Sequence, residues 1–338
     1  ALLAANLNTD YPVDRRVLLT RCRAWLVYRG YSQSIEADCL EAFWVDAEGR
    51  ARWRFAVPVG DGALVRLDAV LAMRSGENTV ELTFHRQPAE KSAGALADRQ
   101  TIHVILRPDI EDRSCHETTR ACAGPEDQWP QAVTTHVDGF RFCPSSGAVL
   151  DLHTSAGDYV SEPEWTYMVP HPFEANRGLA GHTDLFSPGY LDCPLVGGQT
   201  VAISATARLA EDTPAGEEDL PEPAVVWSGP LKEARAIPLT DALESAMRQF
   251  VVKRDDSLTV IAGYPWFLDW GRDTLICLRG MIAAGWHDEC RDVLRQFARF
   301  ESQGTLPNMI RGDDDRNRDT SDAPLWFFVA CTDLLDAE

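Results

Sequence analysis

Hydrophobic and polar positions alternate with period two through most of the first 210 residues. In Asn78–Phe84, Val80, Leu82 and Phe84 fall on one side, and Thr79, Glu81 and Thr83 on the other. Thr101–Leu106 repeats this with Ile102, Val104 and Leu106; Thr200–Leu209 does so with Val201, Ile203, Ala205 and Ala207. Shorter stretches of the same kind are Arg16–Leu19, Cys22–Tyr28, Ala51–Val57, Leu64–Met73, Gly139–Cys143 and Ala148–His153. Such alternation marks half-buried antiparallel strands. Turn-formers separate them, at Glu48-Gly49, Asp61-Gly62, Ser75–Asn78, Asp138-Gly139 and Ser145–Gly147. Ten or so short strands with such turns predict a large antiparallel β-sandwich. One stretch breaks the pattern. Trp165–Gly198 carries Glu174, Arg177 and Asp184 and reads as a long ordered loop with internal ion pairs or, alternatively, as a flap touching a second domain near its site.

The period changes further on. Residues 211–237 hold four prolines and a run of acids and read as a linker, with a short strand at Ala224–Trp227 laid on the sandwich. From Thr240 the spacing is helical: Leu243, Ala246, Met247 and Phe250 share a face, with Thr240 or Asp241 as the cap. Thr259–Ile261 is a short β-branched run. A helix follows Trp270 and stops near Gly285. Another is expected over His287–Gln303, ended by Gly304 as its C′ glycine. A loop over Thr305–Thr320 precedes a last helix, Asp322–Leu335.

Composition narrows the function. The chain has 338 residues and a formal net charge of −20, which disfavours nucleic acid and anionic membranes as partners. A neutral polymer such as a polysaccharide fits better. No run of apolar residues is long enough to span a bilayer. The nine cysteines are scattered singly and read as reduced, mostly buried thiols of an intracellular, cytoplasmic protein. Zinc spacing is absent, and no metal or organic cofactor is expected.

The candidate chemistry lies in Gly263–Trp286. Trp266, Phe267 and Trp270 interleave with Asp269, Arg272 and Asp273. Two indoles, two carboxylates and a guanidinium are poor core material, because burying them unpaired costs several kcal/mol. They suit a sugar site, with rings stacking on the pyranose and charges holding hydroxyls. A capped helix with a surface charge network is the plain alternative. Downstream, Asp313–Asp315 reads as a solvated loop, with calcium a weaker reading. Asp322 opens a helix rich in aromatic residues. It serves either as an ordinary N-terminal helix acid or as the proton donor that glycoside cleavage needs. The helix end lowers a carboxyl pKa, whereas a donor wants it raised.

PWFLDWGRDTLICLRGM, GTLPNMI and DTSDAPLWF, in that order and spacing, resemble the amylo-α-1,6-glucosidase domain of glycogen debranching enzymes. RPDIEDRSCHETT, and FEANRG followed by DLFSPGY, more loosely resemble the N-terminal β-domain of bacterial and archaeal members. The resemblance implies a multidomain β + α chain: a β-sandwich over 1–210, the linker over 211–237, and the first part of an (α/α)6 barrel over 238–338. It implies Asp322 as general acid, with Trp266, Asp269, Arg272, Asp273 and Asn308 around the terminal glucose. Asp319 stands where the family has asparagine. A full barrel needs twelve helices and about four fit, so the chain is expected to be a fragment without its general base and without turnover. The implied partner is glycogen or a branched α-glucan cleaved with inversion; no oligomeric state is implied. Two alternatives stay open: another exo-α-glucosidase of glucoamylase or trehalase type, and a non-catalytic carbohydrate-binding protein.

Overall fold

The computed structural model describes residues 1–13, 15–46, 48–89, 94–144, 147–212, 223, 238–264 and 267–338. The expected strand at 224–227, most of the expected linker and Trp266 lie outside them. Two compact units emerge: one of Ala1–Ala5 and Arg16–Arg235, the other of Asn6–Arg15 and Ala236–Glu338.

In chain order the first unit contains β1 (Leu3–Asn6), β2 (Arg15–Tyr28), β3 (Tyr31–Ser34), β4 (Leu40–Val45), β5 (Ala51–Pro58), β6 (Leu64–Met73), β7 (Thr79–Arg86) and β8 (Ile102–Ser114). A one-turn helix α1 (Pro125–Gln128) follows, then β9 (Val133–Thr135), β10 (Gly139–Phe142), β11 (Ala148–Thr154) and β12 (Asp158–Pro170). A second short helix, α2 (Pro172–Asn176), leads to β13 (His182–Leu195) and β14 (Thr200–Leu209). They form a six-stranded sheet, β1-β2-β8-β13-β12 with β3 on β2, and an eight-stranded sheet, β4-β5-β6-β7-β14-β11-β10-β9. The pairings β2-β8-β13-β12, β3-β2 and all those of the eight-stranded sheet run antiparallel. Their inner faces meet. Leu19 and Cys22 from one sheet, and Leu71, Leu82 and Ile203 from the other, line a shared cavity of about 20 Å³.

The expected strands are present, but Trp165–Gly198 is a correction. It is not a loop: most of it is the end of β12 and the whole of β13. β13 sits inside its sheet between β8 and β12. Pro163, Pro188 and Pro194 argue locally against a strand. Pro163 and Pro188 fall at register shifts, between Ser161 and Glu164 and between Phe186 and Leu191, whereas Pro194 keeps regular register opposite His103. Asp184, expected in a loop ion pair, is buried and accepts the backbone N–H groups of Ala121 and Met168. A second correction concerns half-burial. Thr79, Glu81 and Thr83 on the polar side of β7 are all buried. They are partly satisfied across strands, as in the Thr79–Thr206 hydroxyl pair at 3.0 Å and the Arg74–Glu81 ion pair.

The second unit holds α3 (Leu239–Arg248), a hairpin of β15 (Val251–Arg254) and β16 (Ser257–Val260), then α4 (Gly271–Ala283) and α5 (His287–Arg299). A further hairpin, β17 (Met309–Arg311) with β18 (Asp314–Asn317), precedes α6 (Ala323–Ala337). Leu275, Leu278 and Met281 of α4 pack with Val293 and Phe297 of α5 and Ala330 and Leu334 of α6. Boundaries depart from expectation in three places. Pro238 occupies the N-cap of α3, putting Thr240 and Asp241 inside its first turn. α5 ends at Arg299, and Gly304 instead sits at φ +76 in a tight turn where Thr305 N–H bonds the Ser302 carbonyl at 2.9 Å. Asp313 and Asp314 are exposed, as expected of a solvated stretch, but Asp314 and Asp315 belong to the β17–β18 hairpin and pair with Arg316 and Arg318. All nine cysteines are free; Cys39, Cys193 and Cys290 are buried, whereas Cys122 and Cys143 are exposed against expectation. Among the described residues no helix is long and apolar enough to cross a membrane.

Candidate active site

The site grows from the loop that enters α4. Trp270 is extended at φ −97, ψ 126 and serves as the N-cap residue, while Gly271 begins the helix. Gly271 is required by its surroundings. A Cβ there would stand 2.3 Å from the Pro307 carbonyl oxygen, and the Gly271 N–H donates to the Asn308 carbonyl at 2.9 Å. Trp270 also bridges Met309, and Ile310 N–H donates to the Asp269 carbonyl at 3.2 Å. The first and second sequence blocks are therefore knitted together by main-chain bonds. Leu306 and Ile310 anchor the second block in the core.

The third block arrives through α6. Asp322 is its N-cap residue, Ala323 beneath it is fully buried, and Pro324 fits the first turn, where no amide is needed. The Arg272 guanidinium lies 3.5 Å from Asp322 Oδ2 and 3.8 Å from Asp273 Oδ2. These three side chains are 37–47% exposed, open to a ligand. Thr320 Oγ1 donates to Asp322 Oδ1, and the Asp322 N–H returns a bond to Thr320 Oγ1 at 3.3 Å. The Thr320 hydroxyl, with help from backbone N–H and Arg272, holds the Asp322 carboxyl below its ordinary pKa against partial desolvation.

Two chain stretches fifty residues apart thus meet through Arg272 and Asp322. A family model described as amylo-alpha-1,6-glucosidase matches residues 245–337, and one described as glycogen debranching enzyme N terminal matches residues 1–202. The chain belongs to the glycogen debranching enzyme family. Solved structures similar to this debranching-family chain include a bacterial glucoamylase complexed with acarbose. It is 9% identical with TM-score 0.43, over 86% of this chain and 46% of that one. A putative kojibiose phosphorylase from human microbiome is 10% identical with TM-score 0.40, over 99% of this chain and 49% of that one. The chain therefore spans about half the length of these two structures. No curated protein matches it.

The debranching-family blocks converge, but not every expected residue faces the site. Arg272, Asp273 and Asp322 cluster. Asn308 is half-buried beside them through its backbone, and Asp319 is exposed with no polar partner among the described residues. Trp266 lies outside the described residues. Asp269 is a correction. It is 0% exposed, and both of its oxygens are committed to Arg254, at 2.5 and 2.9 Å, and to Thr259 at 3.1 Å. Its neighbours Phe267 and Trp270 stay nearer the surface, rings edge-to-face at 6.1 Å. Sequence reading passed over Arg254 and Thr320. The hairpin that carries Arg254 had a legible signal, Val251–Arg254 and Ser257–Val260 flanking the two-residue turn Asp255-Asp256, but the burial of Arg254 had none. Among the described residues no group of three or more His, Cys, Asp or Glu side chains is arranged to hold a metal.

Proposed function

We propose that this chain supplies the glucose-gripping face and the proton donor of an α-1,6-glucosidase acting on branch points of glycogen or a limit dextrin. The supporting observation is Arg272 standing between Asp273 and Asp322, bringing a sugar-holding block and an acid block together. In this reading α4, α5 and α6 open an (α/α)6 barrel over 238–338, following the sandwich over 1–210 and the linker over 211–237. Arg272, Asp273, Asn308 and Asp319, with Trp266, hold the terminal glucose. Asp322 protonates the glycosidic oxygen, and a second carboxylate, none of those named here, activates water for inversion. No cofactor takes part. Free thiols throughout favour a cytoplasmic setting.

The donor role sets a requirement. Asp322 is held toward its ionised form, and a proton donor needs the reverse. Glucan binding must draw Arg272 onto sugar hydroxyls and dehydrate Asp322, both of which raise its pKa. The test is glucose release from a branched dextrin by the full-length parent carrying Asp322→Asn. A fall in kcat of about 10²- to 10⁴-fold is expected for a lost general acid. Near-parental turnover would remove Asp322 from the role. Comparing branched dextrin with maltose and trehalose separates this reading from a glucoamylase- or trehalase-like one.

A further inference from the structure

We propose that Arg254 and Asp269 are positioning residues: their buried pair fixes the backbone that presents Arg272, Asp273 and Asn308, and neither touches sugar. The two side chains are 1% and 0% exposed. Arg254 Nε and Nη2 meet the two Asp269 oxygens as a fork, and Nη1 donates to the Gly312 carbonyl at 3.0 Å. Thr259 completes the carboxylate from β16. One ion pair therefore ties the β15–β16 hairpin, the loop before α4 and the β17–β18 hairpin. Asp269 is three residues from Arg272. Its carbonyl bond to Ile310 N–H and the Gly271–Asn308 bond fasten the loop to the second block.

Stability alone does not call for this pair. A well-packed apolar pair in place of a buried ion pair is often as stable or more so. What an apolar pair lacks is direction. A bidentate fork fixes the angle of the carboxylate as well as its distance, and lysine cannot reproduce it. The functional half of the inference rests on the sugar-site reading above; the backbone half does not.

The experiment uses the whole chain with Arg254→Met/Asp269→Leu, with Arg254→Lys, and with Arg272→Ala. Thermal unfolding, hydrogen exchange in a peptide covering 267–272, and binding of isomaltose and 1-deoxynojirimycin are measured. The double variant is expected to unfold close to the parent temperature. Its 267–272 amides should nevertheless exchange about tenfold faster or more, and both probes should bind about tenfold more weakly or worse, since sites tolerate only small misplacement. Arg254→Lys should fall between. Parental exchange and probe affinity in the double variant would reduce the pair to core filling and overturn the proposal. If the double variant does not fold, Arg254→Lys decides, and parental exchange there overturns it equally. If the parent binds neither probe, or Arg272→Ala leaves binding unchanged, the sugar-site reading fails while the exchange measurement still judges the pair.

Discussion

Two arginine–aspartate pairs stand at the inner and outer ends of one loop. Arg254–Asp269 is sealed from solvent and bidentate, whereas Arg272–Asp322 is 47% and 37% exposed and 3.5 Å apart. The residue types are the same; the surroundings give them opposite work. A desolvated charge has no substitute partner, so the inner pair cannot open without leaving a bare ion. The outer pair is long and bathed in water, where exchanging one partner for another costs little. A fixed scaffold suits the first and a ligand site the second. Sequence reading grouped Asp269 with Asp273 because both fall in one short polar stretch. Only burial separates them.

The contrast is broken most severely from the inside. Arg254→Met alone strands the Asp269 carboxylate and should destabilise the second unit by about 3–5 kcal/mol. Urea unfolding near neutral pH reads this directly. A loss below about 1 kcal/mol would mean that Asp269 finds water or another donor, and the inner pair would then resemble the outer. Gly271→Ala comes next. Its methyl group meets a backbone carbonyl at 2.3 Å rather than a pliable side chain. The expected loss is about 1–3 kcal/mol, the range for overpacked sites, with weaker protection of the Gly271 amide in hydrogen exchange. Unchanged stability would show that the β17–β18 hairpin slides away freely.

At the outer end the expected effect is a change of titration. The Asp322 carboxyl titrates below its ordinary value, chiefly through Thr320. Because the folded-state pKa is depressed, the stabilisation from this group is present above the unfolded value, about 3.9. It is lost as pH falls through the lowered value. Carboxyl NMR should place the Asp322 midpoint below the ordinary one, and Thr320→Val should move it upward. A midpoint at or above the ordinary value in the parent would mean that the Thr320 and Arg272 contacts do not form in solution.

How much of this was legible in sequence follows from the range of the interactions. Strands such as β7 and β14 and helices such as α4 announce themselves, since period and turn residues are local signals. β13 does not, because Pro188 and Pro194 argue locally against a strand; only pairing with β8 shows Pro188 taken up at a register shift and Pro194 seated opposite His103. The same limit applies at the site. Asp322 and Arg272 were visible as residues of distinctive blocks, whereas their meeting across fifty positions is tertiary. Arg254 bonding Asp269 across fifteen positions is likewise tertiary, and a charged residue in a stretch reading VVKRDD gives no sign of being 1% exposed. Thr320 passes unnoticed in the sequence because its grip on Asp322 depends on the turn before α6.

The smallest expected effect sharpens the comparison best. Arg279 on α4 reaches Asp333 on α6 at 2.7 Å, a shorter contact than Arg272–Asp322, and the two are 55% and 33% exposed. On distance alone it ranks near the inner pair. On burial it belongs with the outer one. If burial is what separates the two ends of the loop, Arg279→Ala should cost only about 0.2–1 kcal/mol, the range for exposed pairs. The cost should also shrink as salt is raised. A salt-insensitive loss of several kcal/mol would make distance the governing variable. The argument that Arg272 is free to leave Asp322 for a sugar would then lose its footing, because an exposed pair on these same two helices would be as fixed as a buried one.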